Sequence, residues 1–392
     1  MLKKTLEDLC AFGDRSTTTE KERKAAEYLK ASLEKLGYSA QLEQFKSPST
    51  FSWTYLAIYL GFAISIPLSI YAPLPAIIIF TVTLVLFLGE QTTLFALLTT
   101  KIFAFGRSQN VVGRPAPRAD ADKGGSPKTL WLVAHYDTSK TSLAFSPASV
   151  PLLRPLFFFS LILIAGSFFT IFFCYHTELA QKLWIKIFWY FCGAYFFYMA
   201  IMMLEREVRG KPVQGAADNA SGVAIVMELA KRFAAKNLKT TSLRILFTGA
   251  EEVEMVGMFD FIKRHGAEIS KSKDFFLNFD SIGDGSLCWI TKEGMIRPLA
   301  GSKRLIKLCE ELAKQEKFRA VSGRPYTALT LDTLVARSRG FEVLSFMALS
   351  ERGFPAPWHW FDDTIERVDL AKLALAADFA EELIERFDQS AP

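Results

Sequence analysis

The sequence has little cysteine and little histidine, and its charges nearly balance. The odd number of cysteines and the absence of any CxxC pair argue against a disulfide framework or a thiolate zinc site, and predict buried free thiols at Cys10, Cys174, Cys192, Cys288 and Cys309. The net charge of +5 is mild and scattered, so no nucleic-acid partner is expected. Apolar residues make up 50% of the chain and aromatics 14%, which excludes a disordered protein.

Charge is also missing from one long stretch. No charged residue occurs from Phe51 to Gly89, a run of 39 residues. A single helix of that length, rising about 1.5 Å per residue, would overshoot a bilayer core of roughly 30 Å nearly twofold. Because the YAPLP segment breaks the run, the sequence predicts a hairpin of two membrane spans near 52–71 and 74–98.

A second apolar pair follows. Residues 155–177 and 187–204 carry no charge, and the latter stretch is rich in the aromatics that favour membrane interfaces. A buried helix of a soluble protein is the alternative, but the length and the missing polar face argue against it. We therefore predict four spans in two hairpins, and hence a multi-pass integral membrane protein whose partners include the lipid bilayer.

The two hairpins place all the polar segments on one side of the membrane. That side carries nine basic residues near the membrane ends, whereas the other offers Lys182 and Lys186. The excess of positive charge predicts that the polar segments face the cytoplasm. The predicted organisation is one domain in three pieces interrupted by two transmembrane hairpins: domain residues 1–50, hairpin 51–100, domain 101–151, hairpin 152–204 and domain 205–392.

The polar segments alternate strand and helix. Compact apolar runs predict strands at YSAQLEQF, TLWLVAHY, LRILFTGA, DFFLNFDS and FEVLSFMAL. Helical periodicity predicts helices over 221–235, 254–265, 301–315 and 369–387. This alternation predicts an α/β fold with a mostly parallel mixed sheet and helices on both of its faces.

Polar side chains follow each predicted central strand. They are His135 and Asp137, Glu251 and Glu252, and Asp280, joined by Asp218 and Asn219 in a glycine-flanked turn. Each alone is ordinary: a hydrogen-bonded pair, a solvated pair of acids, a turn or a helix cap. Ligands of open α/β sheets bind beyond the carboxyl ends of the strands, so together these groups predict one crevice. A cluster rich in carboxylates suits hard or borderline divalent cations.

Five motifs carry a family resemblance. AHYD, GAADNASGVA, GAEEVEMVG, NFDSIG and WHWFDDTIERVD resemble the zinc-dependent exopeptidases that include bacterial leucyl aminopeptidases and glutamate carboxypeptidase. Glutaminyl cyclases share that fold. The resemblance extends over essentially all the polar sequence, whereas the two hairpins have no counterpart in the usual soluble members.

The resemblance implies a complete site with two zinc ions per chain. Asp218 would bridge the ions, Glu251 would be the general base and Asp137 would orient the His135 imidazole. The implied metal ligands are His135 and Asp280 for one ion, Glu252 and His359 for the other, and Asp218 for both. Such an assignment explains why two adjacent acids are tolerable, because one would bind a dication while the other handles a proton.

The implied activity is that of a membrane-anchored zinc exopeptidase, an aminopeptidase acting on peptide substrates. Two alternatives stay open: a carboxypeptidase or other amidohydrolase of the same fold, and an inactive membrane receptor or scaffold. The presence of all five expected ligands argues against the inactive protein. In the family pattern, glutaminyl cyclases typically use one zinc, so the full set favours hydrolysis. Trp360 stands where the family often has a small residue, and its bulk could narrow the pocket or face away. The oligomeric state stays open.

Overall fold

The chain folds into two units that alternate along the sequence. In the computed structural model the described residues are 1–91, 98–115, 128–174, 177–236, 238–356 and 358–390. The first unit comprises residues 1–49, 105–140 and 212–392, and the second comprises 50–104 and 141–211. The four cysteines whose side chains are described are buried free thiols, as the sequence predicts.

Helices and strands of the described residues are numbered in chain order. The helices are α1 Leu2–Ala11, α2 Glu20–Lys35, α3 Ser52–Leu68, α4 Pro73–Gln91, α5 Leu98–Ile102, α6 Leu153–Cys174, α7 Leu183–Arg209, α8 Gly222–Ala234, α9 Val256–His265, α10 Lys303–Leu312, α11 Asp332–Ser338 and α12 Leu370–Gln389. The strands are β1 Tyr38–Ser47, β2 Gly106–Pro115, β3 Lys128–His135, β4 Thr241–Thr248, β5 Asp274–Phe279, β6 Ser286–Glu293, β7 Leu299–Ala300, β8 Ser322–Tyr326 and β9 Glu342–Leu349.

The first unit is built on one nine-stranded sheet. Its order is β1-β2-β4-β3-β5-β9-β6-β7, with β8 paired to β6. Strands β4, β3, β5 and β9 run parallel to one another, but the pairs β1–β2, β2–β4, β9–β6 and β6–β7 are antiparallel. The prediction of a mostly parallel sheet is therefore wrong: the sheet is mixed, since antiparallel strands flank a parallel centre on both sides.

Helices cover both faces of this sheet, as predicted. Successive side chains of a strand point to opposite faces, and in β3 Leu130 and Leu132 join one buried apolar cluster whereas Trp131 and Val133 join another. The first cluster includes buried residues of α1, α2, α8, α10 and α12, and the second includes residues of α9 and α11. Burial on both faces explains why β3 is continuously apolar.

Strand β2 escaped the sequence analysis because its centre is polar. Ser108, Gln109 and Asn110 are buried there, and each has a hydrogen-bonding partner. Ser108 donates to Glu22, Gln109 donates 2.7 Å to the Tyr136 hydroxyl, and Asn110 donates 2.8 Å to a main-chain carbonyl. A buried polar strand of this kind has no apolar periodicity to reveal it, and its side chains are tolerated because they are paired.

The second unit contains the apolar helices. Among the described residues, three helical segments are long and apolar enough to cross a membrane: Pro73–Gln91, Val150–Phe173 and Leu183–Arg209. Helix α3 has 17 residues, about 25 Å at 1.5 Å per residue, and is too short to meet the same criterion. The prediction of four spans is thus supported for three of them. Helix α4 ends at Gln91, and residues 92–97 of the predicted span 74–98 lie outside the described residues.

Close approach of α3 and α7 organises the second unit. A Cβ built on Gly193 of α7 would lie 2.5 Å from Pro67 Cγ and 3.3 Å from the Ala63 carbonyl oxygen of α3. Around this point Phe62, Ile66 and Phe196 are buried in the apolar cluster of the unit. A small residue at the contact allows two helix backbones to pack closely, which is how apolar helices associate when burial from water gives no driving force.

We expect Gly193→Val to loosen this contact. The added side chain must displace Pro67 or the α3 backbone, and overpacking of this kind costs about 1–3 kcal/mol. The measurement is the thermal unfolding midpoint of the purified full-length protein in detergent. Ala194→Val is the matched control, because Ala194 is the next residue of α7 and is exposed. Equal midpoints for the two variants would contradict this packing.

Candidate metal centre

The predicted site residues lie at the carboxyl ends of the central strands. His135 ends β3, Asp280 directly follows β5, and Glu251 and Glu252 lie in the turn after β4. Asp218 lies in the segment Ala216–Ser221 that precedes α8, and its own backbone is non-helical, with φ −114° and ψ 86°. His359 lies in the loop between β9 and α12. Parallel strands β4, β3 and β5 are neighbours, so their ends meet at one edge of the sheet.

The five predicted ligands form two groups that share one carboxylate. His135 Nε2 lies 3.0 Å from Asp218 Oδ1 and 3.7 Å from Asp280 Oδ2. His359 Nε2 lies 3.3 Å from Asp218 Oδ2 and 2.9 Å from Glu252 Oε2. Within each group the donor atoms all lie within 4.8 Å of one another. Each oxygen of Asp218 therefore faces a different group.

The chemistry of these donors fits a pair of divalent cations. All five side chains are buried, with relative exposures from 1% to 7%. Three carboxylates held together out of water repel one another, and burying such charges is costly unless cations compensate them. Glu252 Oε1 is buried and has no hydrogen-bonding partner among the described residues. Imidazole and carboxylate donors of this number are those that zinc takes in proteins.

Without a cation, the imidazoles take the role of counter-charge. Burial opposes protonation of His135, but Glu251 and Asp280 raise the pKa of His135 well above its usual value. Burial likewise opposes protonation of His359, yet its pKa is raised to about 9, chiefly by Glu252 and Asp218. The site thus draws positive charge to itself, which is the electrostatic condition for binding a dication.

Glu251 lies beside the ligands and belongs to neither group. Its Oε2 is 4.0 Å from His135 Nε2, and its side chain is 12% exposed. Burial raises the pKa of Glu251 well above the usual value; His135 opposes the shift, and neighbouring acids such as Asp332 and Asp280 add to it. A general base needs a pKa nearer to the working pH than an ordinary carboxylate has, and the shift at Glu251 is in that direction.

Asp137 holds the turn that carries the two glutamates. Its Oδ1 accepts from the Glu251 amide at 3.1 Å, and its Oδ2 accepts from the Glu252 amide at 3.1 Å and from the Thr17 hydroxyl at 3.0 Å. The distance from His135 Nδ1 to Asp137 Oδ1 is 3.6 Å, longer than a hydrogen bond. The resemblance implies that Asp137 orients the imidazole, and the hydrogen bonds add a second task, fixing the backbone of Glu251 and Glu252.

Three residues at or next to the site residues have an unusual backbone conformation. Ala250, which precedes Glu251, has φ 55°, Ser281, which follows Asp280, has φ 51°, and His359 itself has φ 48°. Non-glycine residues avoid this region at a cost of about 1–3 kcal/mol each, and such residues cluster at functional sites. These three lie at the turns that aim acids and an imidazole toward one point.

Further buried acids surround the centre, and the sequence analysis left them unassigned. Asp332 accepts a hydrogen bond from the Thr248 hydroxyl, and burial raises the pKa of Asp332 to about 7. Asp363 accepts from the amide of Ala217 at 2.7 Å and from that of Asp218 at 3.2 Å. It follows Asp362 in the WHWFDDT motif, and nothing in that local pattern distinguishes the buried acid from its exposed neighbour.

The aromatic residues of the same motif take different positions. The Trp358 ring lies 5.5 Å from the His359 ring, and the Tyr326 ring lies 6.5 Å from that of Trp358. Trp360 is half-buried, with its ring 5.1 Å from the exposed Phe361 ring. The residue packed against the imidazole is therefore Trp358, whereas Trp360 packs against its own chain neighbour.

Comparison with known protein families gives one match, which covers part of the chain. Residues 202–384, just under half of the chain, match the family model described as Peptidase family M28. No curated protein sequence matches the chain closely enough to count as a relative. The family match and the donor set together support a zinc-dependent metallopeptidase.

Solved structures share the fold at low sequence identity. A zinc aminopeptidase from Bacillus subtilis is 14% identical with a TM-score of 0.59, covering 98% of this chain and 94% of that one. A glutaminyl cyclase from Porphyromonas gingivalis is 13% identical with a TM-score of 0.57, covering 98% and 97%. A leucine aminopeptidase precursor from Bacteroides thetaiotaomicron is 14% identical with a TM-score of 0.56, covering 98% and 95%. At this identity the likeness is one of fold alone.

Glu293 anchors the start of α11 and makes stability depend on pH. It is fully buried; its Oε1 accepts from the Leu331 amide and its Oε2 from the Thr333 hydroxyl, both at 2.8 Å. Burial raises the pKa of Glu293 from 4.5 to about 8. The folded state therefore keeps the Glu293 proton above pH 4.5, where the unfolded state releases it. As the pH rises towards 8, this difference lowers the free energy of unfolding by at most about 1.4 kcal/mol per pH unit.

We expect Glu293→Gln to remove this pH dependence. Glutamine cannot ionise, so the variant should gain stability relative to the wild type between pH 5 and pH 8 and gain nothing more above it. The measurement is the difference between the two unfolding midpoints across that range. Glu342→Gln, at a half-buried position of β9, is the control. A difference that stays constant with pH would show that Glu293 is not held neutral.

Proposed function

We propose that the chain is a membrane-anchored zinc exopeptidase that removes N-terminal residues from peptides. The observation that carries this proposal is the Asp218 carboxylate, whose two oxygens lie 3.0 and 3.3 Å from the imidazoles of His135 and His359. A single carboxylate serving two donor groups is the arrangement that a two-metal hydrolytic site requires. The match to a peptidase family over residues 202–384 supports the same reaction class.

The two donor groups have separate tasks in this proposal. His135, Asp218 and Asp280 would hold one zinc ion, and Asp218, Glu252 and His359 the other. When bound, the zinc pair would supply Lewis acidity to a carbonyl oxygen and lower the pKa of a water towards neutrality. The hydrogen bonds of Asp137 keep Glu251 and Glu252 in fixed positions while their charges change.

Glu251 would move the proton of the reaction. It would take a proton from the attacking water and then deliver it to the nitrogen of the leaving amine as the amide C–N bond breaks. Its slight exposure of 12% leaves the carboxyl group within reach of a substrate. Its place outside both donor groups leaves its oxygens free for this work.

Charge around the centre favours a free amino terminus over a free carboxyl terminus. Beyond the five ligands, the site contains the acids Glu251 and Asp332, and Asp332 adds to the rise in the pKa of Glu251. In their ionised forms these two acids would attract a substrate ammonium group and repel a substrate carboxylate. This argument favours an aminopeptidase over the carboxypeptidase alternative.

Hydrolysis of aminoacyl reporter substrates by the purified, zinc-loaded full-length protein tests the activity. We expect release of the reporter, its loss on chelation and its return with zinc. Glu251→Gln should lower kcat by about a hundredfold or more, since general base catalysis contributes about 10²–10⁴. Glu366→Gln, at an exposed position, should leave the rate unchanged. Blocked N-termini should abolish hydrolysis of the same substrates.

An inactive, metal-loaded protein would contradict the proposal. Cleavage of peptides with blocked N-termini but free C-termini would favour the carboxypeptidase alternative. Zinc-free protein that stays folded and inactive after zinc is added would favour the receptor or scaffold.

The second unit would anchor the enzyme in the membrane with its peptidase unit on the cytoplasmic side. Three of its helices are long and apolar enough to span, and large apolar side chains such as Ile162, Phe173 and Leu183 are exposed on them, at 67%, 70% and 73%. Apolar exposure on this scale is expected where lipid, not water, surrounds a helix. The basic residues near the predicted membrane ends favour the cytoplasmic orientation.

Epitope accessibility in intact cells tests this topology. An epitope inserted after Lys182 should be reached by antibody from outside the cytoplasmic membrane, whereas one at the carboxyl terminus should be reached only after permeabilisation. Reaching both epitopes from the same side would contradict the assignment of α7 as a membrane span. Reaching only the carboxyl-terminal epitope from outside would reverse the orientation.

A further inference from the structure

The segment that carries Asp218 is held from two opposite ends of the sequence. Arg15, from the amino-terminal region, is fully buried. Its guanidinium donates 2.9 Å to the Gln214 carbonyl and 2.9 Å to the Gly215 carbonyl. It also donates 2.7 Å to the Tyr136 carbonyl, directly after the strand that ends in His135. The Arg15 side chain therefore connects the backbone that directly follows His135 to the backbone that precedes Asp218.

Asp363 holds the other half of the same segment. Its carboxylate accepts from the amides of Ala217 and Asp218, at 2.7 and 3.2 Å, and it is 1% exposed. The Gln214 side chain in turn accepts from the Ile365 amide at 2.8 Å. The Arg15 guanidinium thus donates to carbonyl oxygens and the Asp363 carboxylate accepts from amides, so each charge faces the end of the peptide dipole that has the opposite partial charge.

The turn from Gly215 to Asp218 is tightly packed. Gly215 has φ 62°, and a Cβ there would lie 2.6 Å from the Asp218 carbonyl oxygen, so the turn folds tightly back on itself. Thr138 accepts a hydrogen bond from the Arg15 amide at 2.9 Å, which fixes the arginine backbone as well. A buried turn with its polar groups satisfied on both sides resists displacement.

Both oxygens of Asp218 are already in use, and this makes its position critical. They lie 3.0 and 3.3 Å from two imidazoles that belong to different donor groups. A shift that improves one contact lengthens the other, so the carboxylate can serve both groups only from one place. Groups that support ligands in this way typically change metal affinity by about 10–100-fold when they are removed.

We infer that Arg15 and Asp363 are positioning residues that hold Asp218 where it can serve both metal ions at once. The inference rests on the proposed two-zinc function and goes beyond it by assigning two residues outside the ligand set. Neither side chain would touch substrate or metal. Their removal should weaken zinc binding more than it weakens the fold.

The test is the zinc affinity of the full-length protein, measured by competition with a chromogenic chelator. Asp363→Asn keeps the shape of the side chain but replaces one accepting oxygen with a donor, so one amide of the segment loses its partner. We expect zinc to bind about 10–100-fold more weakly, and the unfolding midpoint of the metal-free protein to change little. Asp362→Asn is the matched control, because Asp362 is the adjacent, more exposed acid and pairs with Arg367; its zinc affinity should equal that of the wild type.

A second variant keeps the inference testable if Asp363→Asn does not fold. Gln214→Ala removes the link between the segment and Ile365 at a half-buried position, and it should weaken zinc binding in the same direction but less. Cobalt-substituted protein supplies an independent readout, since the visible spectrum of bound cobalt should change in the variants and not in Asp362→Asn. Unchanged zinc affinity and cobalt spectrum in a folded Asp363→Asn or Gln214→Ala protein would overturn the inference. A wild-type protein that binds no zinc would overturn the proposed function itself.

Discussion

The repulsion among buried carboxylates around Asp218 is the constraint on which the rest of the site depends. Asp218, Glu252 and Asp280 are each less than a tenth exposed, and acids in that state need compensating positive charge. Without cations, the two imidazoles are the only groups among the described residues that supply it at contact distance. With a dication in each donor group the repulsion would become attraction, and the adjacency of Glu251 and Glu252 would become useful because one acid would bind a cation while its neighbour stayed free to carry a proton.

The fold brings these groups together through strand ends and through long-range ties. Parallel strands β4, β3 and β5 deliver their following residues to one edge, and turns with positive φ at Ala250, Ser281 and His359 aim them. Buried polar side chains then fix the turns: Asp137 holds the glutamates, and Arg15 and Asp363 hold the Asp218 segment. The apolar helices form a unit of their own, packed on its own buried cluster, so their sequences interrupt the peptidase unit without replacing any part of its sheet.

Much of the fold and of the site can be predicted from the sequence, and the reasons are physical. The central strands are apolar on both faces, so runs such as TLWLVAHY stand out, and the polar residues that follow them stand out by contrast. Strand β2 was missed because its buried residues are polar, and strands β6 and β7 were not predicted either, so the antiparallel pairs that make the sheet mixed were underestimated. Arg15 was missed because its partners Gln214 and Gly215 lie 199 and 200 residues away, a separation at which local patterns carry no information. Likewise, the distance from His135 to Asp137 and the ties from Asp137 to Glu251 and Glu252 depend on side-chain placement that spacing alone does not determine.

The proposal of a pair of zinc ions that share Asp218 is tested most directly by anomalous diffraction at the zinc edge from crystals of the zinc-loaded full-length protein. It predicts two anomalous peaks, about 3.5–4 Å apart, one beside His135 and Asp280 and the other beside Glu252 and His359, with an oxygen of Asp218 next to each. No peak, or a single peak that Asp218 does not contact, would contradict the central claim.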